Sequence, residues 1–190
     1  MILRQQLIWV LSLFLLTLLT LRCTTQQDST LALSSEDETQ LLHESVQQLT
    51  DVMVDDIFSP PVASRVYAYP SLAAYEVLAS QHTDYRSLAG QLHELEQLPA
   101  AQQPIHAPLA AMQAYLQVGK ELVFSVDRLE DFRLQLIARY REAGMQPELL
   151  SQSQAYGDQV AAHILAWADG DRYKQTRTYP KYSISKEADR

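Results

Sequence analysis

Between Glu38 and Asp169 the apolar residues recur at steps of three and four, the spacing that gathers them on one face of an α-helix. A first helix is predicted from about Glu38 to Phe58, with Leu42, Val46, Leu49, Met53 and Ile57 as its stripe. Ser59-Pro60-Pro61 stops it, because proline lacks an N–H and restricts the residue before it. A second helix runs from Pro61 to Ser80 through Val62, Val66, Tyr69, Ala73 and Val77, with a kink or break expected at Pro70. A short helix from about Tyr85 to Leu98 is predicted from Leu88, Leu92 and Leu95, followed by a loop broken by Pro99, Pro104 and Pro108. Leu109, Met112, Leu116 and Val123 mark a helix to about Phe124. Ser125 or Asp127 caps the next, which carries Leu129, Phe132, Leu136 and Tyr140 and stops near Ala143, before Gly144. The last, from about Pro147 to Asp169, buries Leu149, Tyr156, Val160, Ile164 and Trp167 and is weakened at Gly157 by up to about 1 kcal/mol. No strand pair with hairpin chemistry occurs. The fold class is all-α, and the short connections favour a helical bundle.

The chain has only five glycines, with 47% apolar and 20% charged residues, enough to bury a core. Its formal charge is −8, or −10 once Arg4 and Arg22 of the leader are set aside. Such an acidic body lacks the Lys and Arg clusters that neutralise phosphates, so no nucleic-acid partner is expected. One cysteine excludes an internal disulfide and a multi-cysteine zinc site.

Residues 7–21, LIWVLSLFLLTLLTL, follow Arg4 and carry no charge. A basic start followed by such a run is the pattern of an export signal, although it is short for a bilayer span, which needs about 20 apolar residues. Cys23 directly follows, as in a bacterial lipoprotein signal, and is the candidate lipidation site; Arg22 departs from the small residue preferred before that cysteine. Residues 1–23 are thus read as a signal peptide or lipoprotein leader, and 24–37 as a polar linker. The expected location is the cell envelope or periplasm. The membrane is the expected partner, through the leader or through a lipid on Cys23.

Candidate chemistry is sparse. The histidines are His43, His82, His93, His106 and His163, and no Glu-x-x-His step of a di-metal bundle occurs. His93-Glu94-Leu95-Glu96 reads as a solvated face, so no metal site is assigned and a ferritin-like bundle is disfavoured. Asp51 and Asp55 lie one turn apart with Asp56 beside them; a polar face pairing with Arg65 is favoured over a paired-carboxylate site. Ser59, Ser64 and Ser71 lack a nucleophile-elbow context. Arg65, Arg172, Lys174 and Arg177 are of the type that grips oxyanions. Beyond Gly170 the helical pattern dissolves, although Tyr173, Tyr179 and Tyr182 are interleaved there with Arg and Lys. Aromatics so placed either cover the helices of this chain or await a partner outside it.

Several short stretches carry a family resemblance when taken in order. They are Ser59-Pro60-Pro61, Ala63-Ser64-Arg65, Tyr67-Ala68-Tyr69 and Ala73-Ala74-Tyr75-Glu76. Then come Tyr85-Arg86-Ser87-Leu88-Ala89-Gly90, Tyr156-Gly157-Asp158-Gln159-Val160-Ala161, and Tyr173-Lys174-Gln175-Thr176-Arg177 with Lys181-Tyr182. From about Leu49 to Arg190 the chain resembles the N-terminal part of bacterial proteins of the vanadium-dependent haloperoxidase and type-2 phosphatidic acid phosphatase (PAP2) superfamily. The resemblance implies an all-helical fold that holds vanadate or a phosphate ester among Lys, Arg and His side chains. It also implies pocket motifs: a Lys followed later by Arg-Pro, then Ser-Gly-His, then an Arg with a downstream His. None occurs here, and Lys174 to Arg177 is too short a spacing to replace the first. No catalytic and no cofactor-binding residue is therefore carried over; vanadate is expected only for a full-length family member.

The resulting expectation is an incomplete helical region, residues 38–190, from the front of a larger helical domain. Met112, Leu136, Tyr156 and Trp167 would then be partly exposed and favour self-association. The alternative is a complete, non-enzymatic envelope lipoprotein that binds or assembles other components.

Overall fold

The computed structural model describes residues 33–177. The leader, Cys23, Tyr179, Lys181 and Tyr182 lie outside the described residues. Six helices and no strand occur among those described: α1 Ser35–Asp55, α2 Pro60–Gln81, α3 Ala107–Leu122, α4 Val126–Glu142, α5 Pro147–Gly170 and α6 Tyr173–Thr176. None is long and apolar enough to cross a membrane.

The first helix starts three residues earlier than predicted, inside the stretch read as linker. Ser34 caps it: its hydroxyl accepts from the Asp37 N–H at 3.1 Å, and Asp37 accepts from the Ser34 N–H at 2.8 Å. This capping box satisfies backbone donors at the helix start, and Glu36, Asp37 and Glu38 all favour the positive end of the helix dipole. Helix α2 opens on Pro60 at its first turn and continues through Pro70 instead of breaking there; Pro70 is buried in the helix.

Helix α3 is the centre of the fold. It is buried on nearly every side, from Leu109 to Leu122, and packs mainly against α2 and α5. Two glycines let neighbours approach it. A Cβ on Gly119 would sit 3.2 Å from a methyl of Leu49 on α1. One on Gly157 of α5 would sit 2.6 Å from the Ala110 carbonyl oxygen and 2.7 Å from the Gln113 Cβ. The residue that weakens α5 in isolation is thus the one that lets it seat against α3.

Three expectations are corrected. No helix forms over Tyr85–Leu98; that stretch is turns and extended chain, with Gly90 at φ +75° and Glu94 at φ +57°. Side chains of other helices take over its backbone, as described below, and only Leu95 of its leucine stripe is fully buried. The region after Gly170 is not patternless, since α6 follows and Tyr173 is 3% exposed. The faces expected to be exposed are closed: Met112 and Leu136 are 1% exposed and Tyr156 is 4%. Trp167 alone of that set is half-buried, edge-on to Tyr69 with ring centroids 5.7 Å apart.

Candidate functional site

Four polar knots tie the helices together, and each joins stretches that are distant in sequence. The first joins α2 to the long connector. Glu76 is 2% exposed, yet its carboxylate is satisfied: one oxygen accepts from the Ser87 hydroxyl at 2.7 Å, the other from the Leu88 N–H at 2.6 Å. The adjacent Tyr75 hydroxyl donates to the Arg86 carbonyl at 2.7 Å. Farther along the connector, the Trp167 indole donates to the His93 carbonyl at 2.9 Å. These bonds supply what a helix over Tyr85–Leu98 would otherwise supply, which is why the leucine spacing there fails to make one.

The second knot is the nearest thing to a catalytic constellation. His106 is the N-cap of α3; its main-chain N–H donates to the Ser153 hydroxyl of α5 at 2.8 Å. Its Nε2 lies 3.1 Å from Glu38 of α1, and the Tyr140 hydroxyl of α4 donates to the same carboxylate oxygen at 3.1 Å. Burial pushes the His106 imidazole down, against the opposing pull of Glu38, and burial pushes the Tyr140 phenol up. With Nδ1 facing the Leu109 N–H at 3.5 Å as acceptor, Nε2 is the nitrogen that donates to Glu38. A groove of about 260 Å³ adjoins Glu38, lined also by Leu42, Leu78, Pro108, Ala111 and Met112. It is mostly apolar; the hydroxyl-bearing Ser35 and Thr39 also line it, and no Lys or Arg does. Sequence reading passed over this trio; Pro108 in the first turn marks His106 as the cap, but nothing local marks Glu38 or Tyr140 as its partners.

The third knot links α3, α4 and α5. Glu130 accepts from Lys120 at 2.9 Å and from both ends of the Arg133 fork at 3.0 and 2.5 Å. These bonds, Arg133 foremost, hold its carboxyl down at about 2. Gln113 and Gln117 of α3 both donate to Asp158 of α5, at 2.6 and 2.8 Å.

The fourth knot gathers the basic residues near the end of the described chain. Arg65 donates to the Thr176 hydroxyl at 2.8 Å and lies 3.7 Å from Asp171, to which the Tyr69 hydroxyl also donates. Arg65 does not meet the Asp51–Asp56 face, contrary to expectation. Asp55 pairs with Arg128 and Asp51 accepts from Gln47. Asp56 instead caps α4, accepting from the Phe124 and Ser125 N–H groups at 2.7 and 3.1 Å and from the Ser125 hydroxyl at 2.6 Å. Neither Ser125 nor Asp127 caps that helix with its own side chain. Tyr173 donates to the Leu122 carbonyl at 3.0 Å, and the Arg177 guanidinium lies 4.9 Å over the Phe124 ring. Lys174 is 4.0 Å from Asp169, whereas Arg172 holds a left-handed backbone at φ +53° just before α6.

Ser64 and Ser71 donate back to carbonyls of their own helix, and Ser59 is the N-cap position of α2. His43 lies within α1 and His82 is the C-cap residue of α2, and His163 lies 3.2 Å from the Glu96 carbonyl. No group of three or more His, Cys, Asp and Glu side chains suited to a metal comes together among the described residues. Arg65, Lys120, Arg128, Arg133, Arg139 and Lys174 each lie within 4.0 Å of a carboxylate of this chain. An oxyanion such as vanadate requires several cations converging on one cavity, and these six are dispersed and already paired.

The stretches that carry the resemblance meet in these knots. Tyr75-Glu76 holds Arg86-Ser87-Leu88, Gly157-Asp158 seats on α3, and Arg65 and Tyr69 meet Asp171 and Thr176. No protein-family model matches the chain, and neither does any curated protein. Among solved structures the chain is similar to one described as the crystal structure of the first bacterial vanadium-dependent iodoperoxidase. The TM-score is 0.72 and the identity 44%, over 78% of this chain and 36% of that chain. The chain thus spans little more than a third of that protein's length. Over the matched region it is homologous to part of a bacterial vanadium-dependent haloperoxidase and has the corresponding all-helical fold.

Proposed function

We propose that this chain supplies the N-terminal helical part of an exported haloperoxidase-like or phosphatase-like protein, and that this part scaffolds the chemistry without performing it. The observation that carries the reading is the 44% identity over 78% of the chain, matched to only 36% of the iodoperoxidase. It is supported by where the shared motifs go. They hold helices together; of the basic residues near them, Arg65 and Lys174 lie against carboxylates of the same chain and Arg177 lies over the Phe124 ring. The parent reaction would be halide oxidation by peroxide at vanadate, or phosphate-ester hydrolysis. Purified 190-residue chain is expected to oxidise no iodide with vanadate and peroxide, and to hydrolyse no aryl phosphate ester. Turnover above a heat-denatured control in either assay would overturn the reading.

Export and anchoring belong to the same proposal and rest on residues 7–21 and Cys23. Cell fractionation with metabolic acyl labelling tests them. Label lost on Cys23→Ala supports a lipid anchor; membrane association unchanged by that substitution, and no label, leaves the leader itself as the anchor.

A second reading is favoured by one observation. Met112, Leu136 and Tyr156 are enclosed, as they would be in a self-sufficient helical module that binds or assembles other envelope components. Affinity capture of a defined envelope partner by the chain, with no haloperoxidase-like portion required, would favour that reading.

A further inference from the structure

The groove beside Glu38 borders a carboxylate that is only half satisfied. Its walls come from α1, α2 and α3, and Leu42, Leu78, Ala111 and Met112 make it apolar. Glu38 is the one ionising residue that lines it, and the Glu38 side chain is 13% exposed. Both bonds to that carboxylate, from His106 and from Tyr140, converge on Oε1. Among the described residues no donor reaches Oε2, and no Lys or Arg pairs with the group. Burial pushes the His106 imidazole down, so at neutral pH it offers a hydrogen bond and not a full counter-charge. A carboxylate taken this far out of water is costly unless a cation and further hydrogen bonds compensate it.

The other lining groups fix the chemistry of that cation. Thr39 already donates its hydroxyl proton to the Ser35 carbonyl at 2.8 Å, which leaves its oxygen as an acceptor. Ser35 brings a second hydroxyl oxygen to the same rim. An ammonium has three donors and no acceptor, and so matches one carboxylate flanked by hydroxyl oxygens. The first turn of α1 would by itself favour an anion, but Glu36, Asp37 and Glu38 already fill that role. The apolar walls call for a hydrocarbon body. That body is short, since about 260 Å³ falls below the roughly 300–1,000 Å³ usual for drug-sized ligands.

We propose that this groove binds a short primary alkylammonium, its chain against Leu42, Leu78 and Met112 and its ammonium on Oε2 of Glu38. The test is methyl NMR of the full chain in non-ionic detergent, titrated separately with n-hexylammonium, n-hexanol and hexanoate. Hexylammonium is expected to shift the Leu42, Leu78, Ala111 and Met112 methyls saturably and to leave Val54 and Leu134 unmoved. The charge-assisted bond should make it bind about tenfold more tightly than hexanol, and hexanoate should not saturate. Glu38→Gln should abolish that preference, and Thr39→Trp, on the exposed rim, should block the groove. Equal binding of hexanol and hexylammonium, shifts that spread to Val54 and Leu134, or no saturable shift overturns the proposal. So does a preference for hexylammonium that survives Glu38→Gln. If Glu38→Gln does not fold, Thr39→Trp decides: unchanged hexylammonium affinity overturns the proposal, and lost affinity with a native spectrum supports it.

Discussion

Replacing Gly157 by alanine separates two opposing effects of known size. In an isolated helix the change is stabilising by about 1 kcal/mol, because glycine has more backbone freedom to lose. In this fold the new methyl meets the Ala110 carbonyl oxygen at 2.6 Å and the Gln113 Cβ at 2.7 Å. Both belong to α3, the most enclosed helix, and neither is the free end of a flexible side chain. The α3–α5 contact must therefore open, and overpacking of this kind costs about 1–3 kcal/mol. Taking the upper part of that range and subtracting the propensity gain leaves a net loss of about 1–2 kcal/mol. For a domain of this size that is a fall in Tm of about 2–8 °C. Gly170→Ala is the control: nothing lies within 4 Å of its added methyl, so it is expected to be neutral or slightly stabilising. Chemical denaturation of the full chain, followed by far-UV circular dichroism, measures both. A Gly157→Ala variant as stable as the parent would refute the close helix crossing on which the packing argument rests.

Two further outcomes follow from the polar knots. Glu76→Ala removes a buried acceptor and strands the Ser87 hydroxyl and the Leu88 N–H, for a loss of about 2–3 kcal/mol; the connector over residues 82–98 should become the first site of limited proteolysis, and unchanged protection would contradict its anchoring. His106 has a lowered pKa in the fold, so the unfolded chain binds the proton more readily. Stability is then fully present above about pH 6.5 and falls as pH drops below it, a slope that His106→Gln should remove; Asp37, Asp56 and Glu130, whose carboxyls are also held down, contribute only at lower pH, below about 4.5.

The strong helices were legible because burial on one side leaves a periodic trace. The boundaries of α4 and α5 were nearly right, since Gly144 and Pro147 state their roles locally. The stretch Tyr85–Leu98 was misread for the same reason: its leucines have helical spacing, but Glu76 and Trp167 claim its backbone from outside, and no local pattern records that. Asp56 was read as one of a carboxylate trio, yet its position just past the end of α1 makes it a cap for α4. The partly buried Glu38–His106–Tyr140 contact was invisible because its members come from three helices. The motifs of the resemblance were recognisable as an ordered set, although only the fold shows that they pair with one another.

The central claim is that this part of a haloperoxidase-like fold carries no oxyanion pocket of its own. Vanadium-51 NMR of dilute vanadate titrated with the purified chain tests it most directly. The account predicts that the free vanadate resonance keeps its position and width as chain is added beyond equivalence. Loss or shift of that resonance in proportion to the chain, and not with a heat-denatured sample, would contradict it.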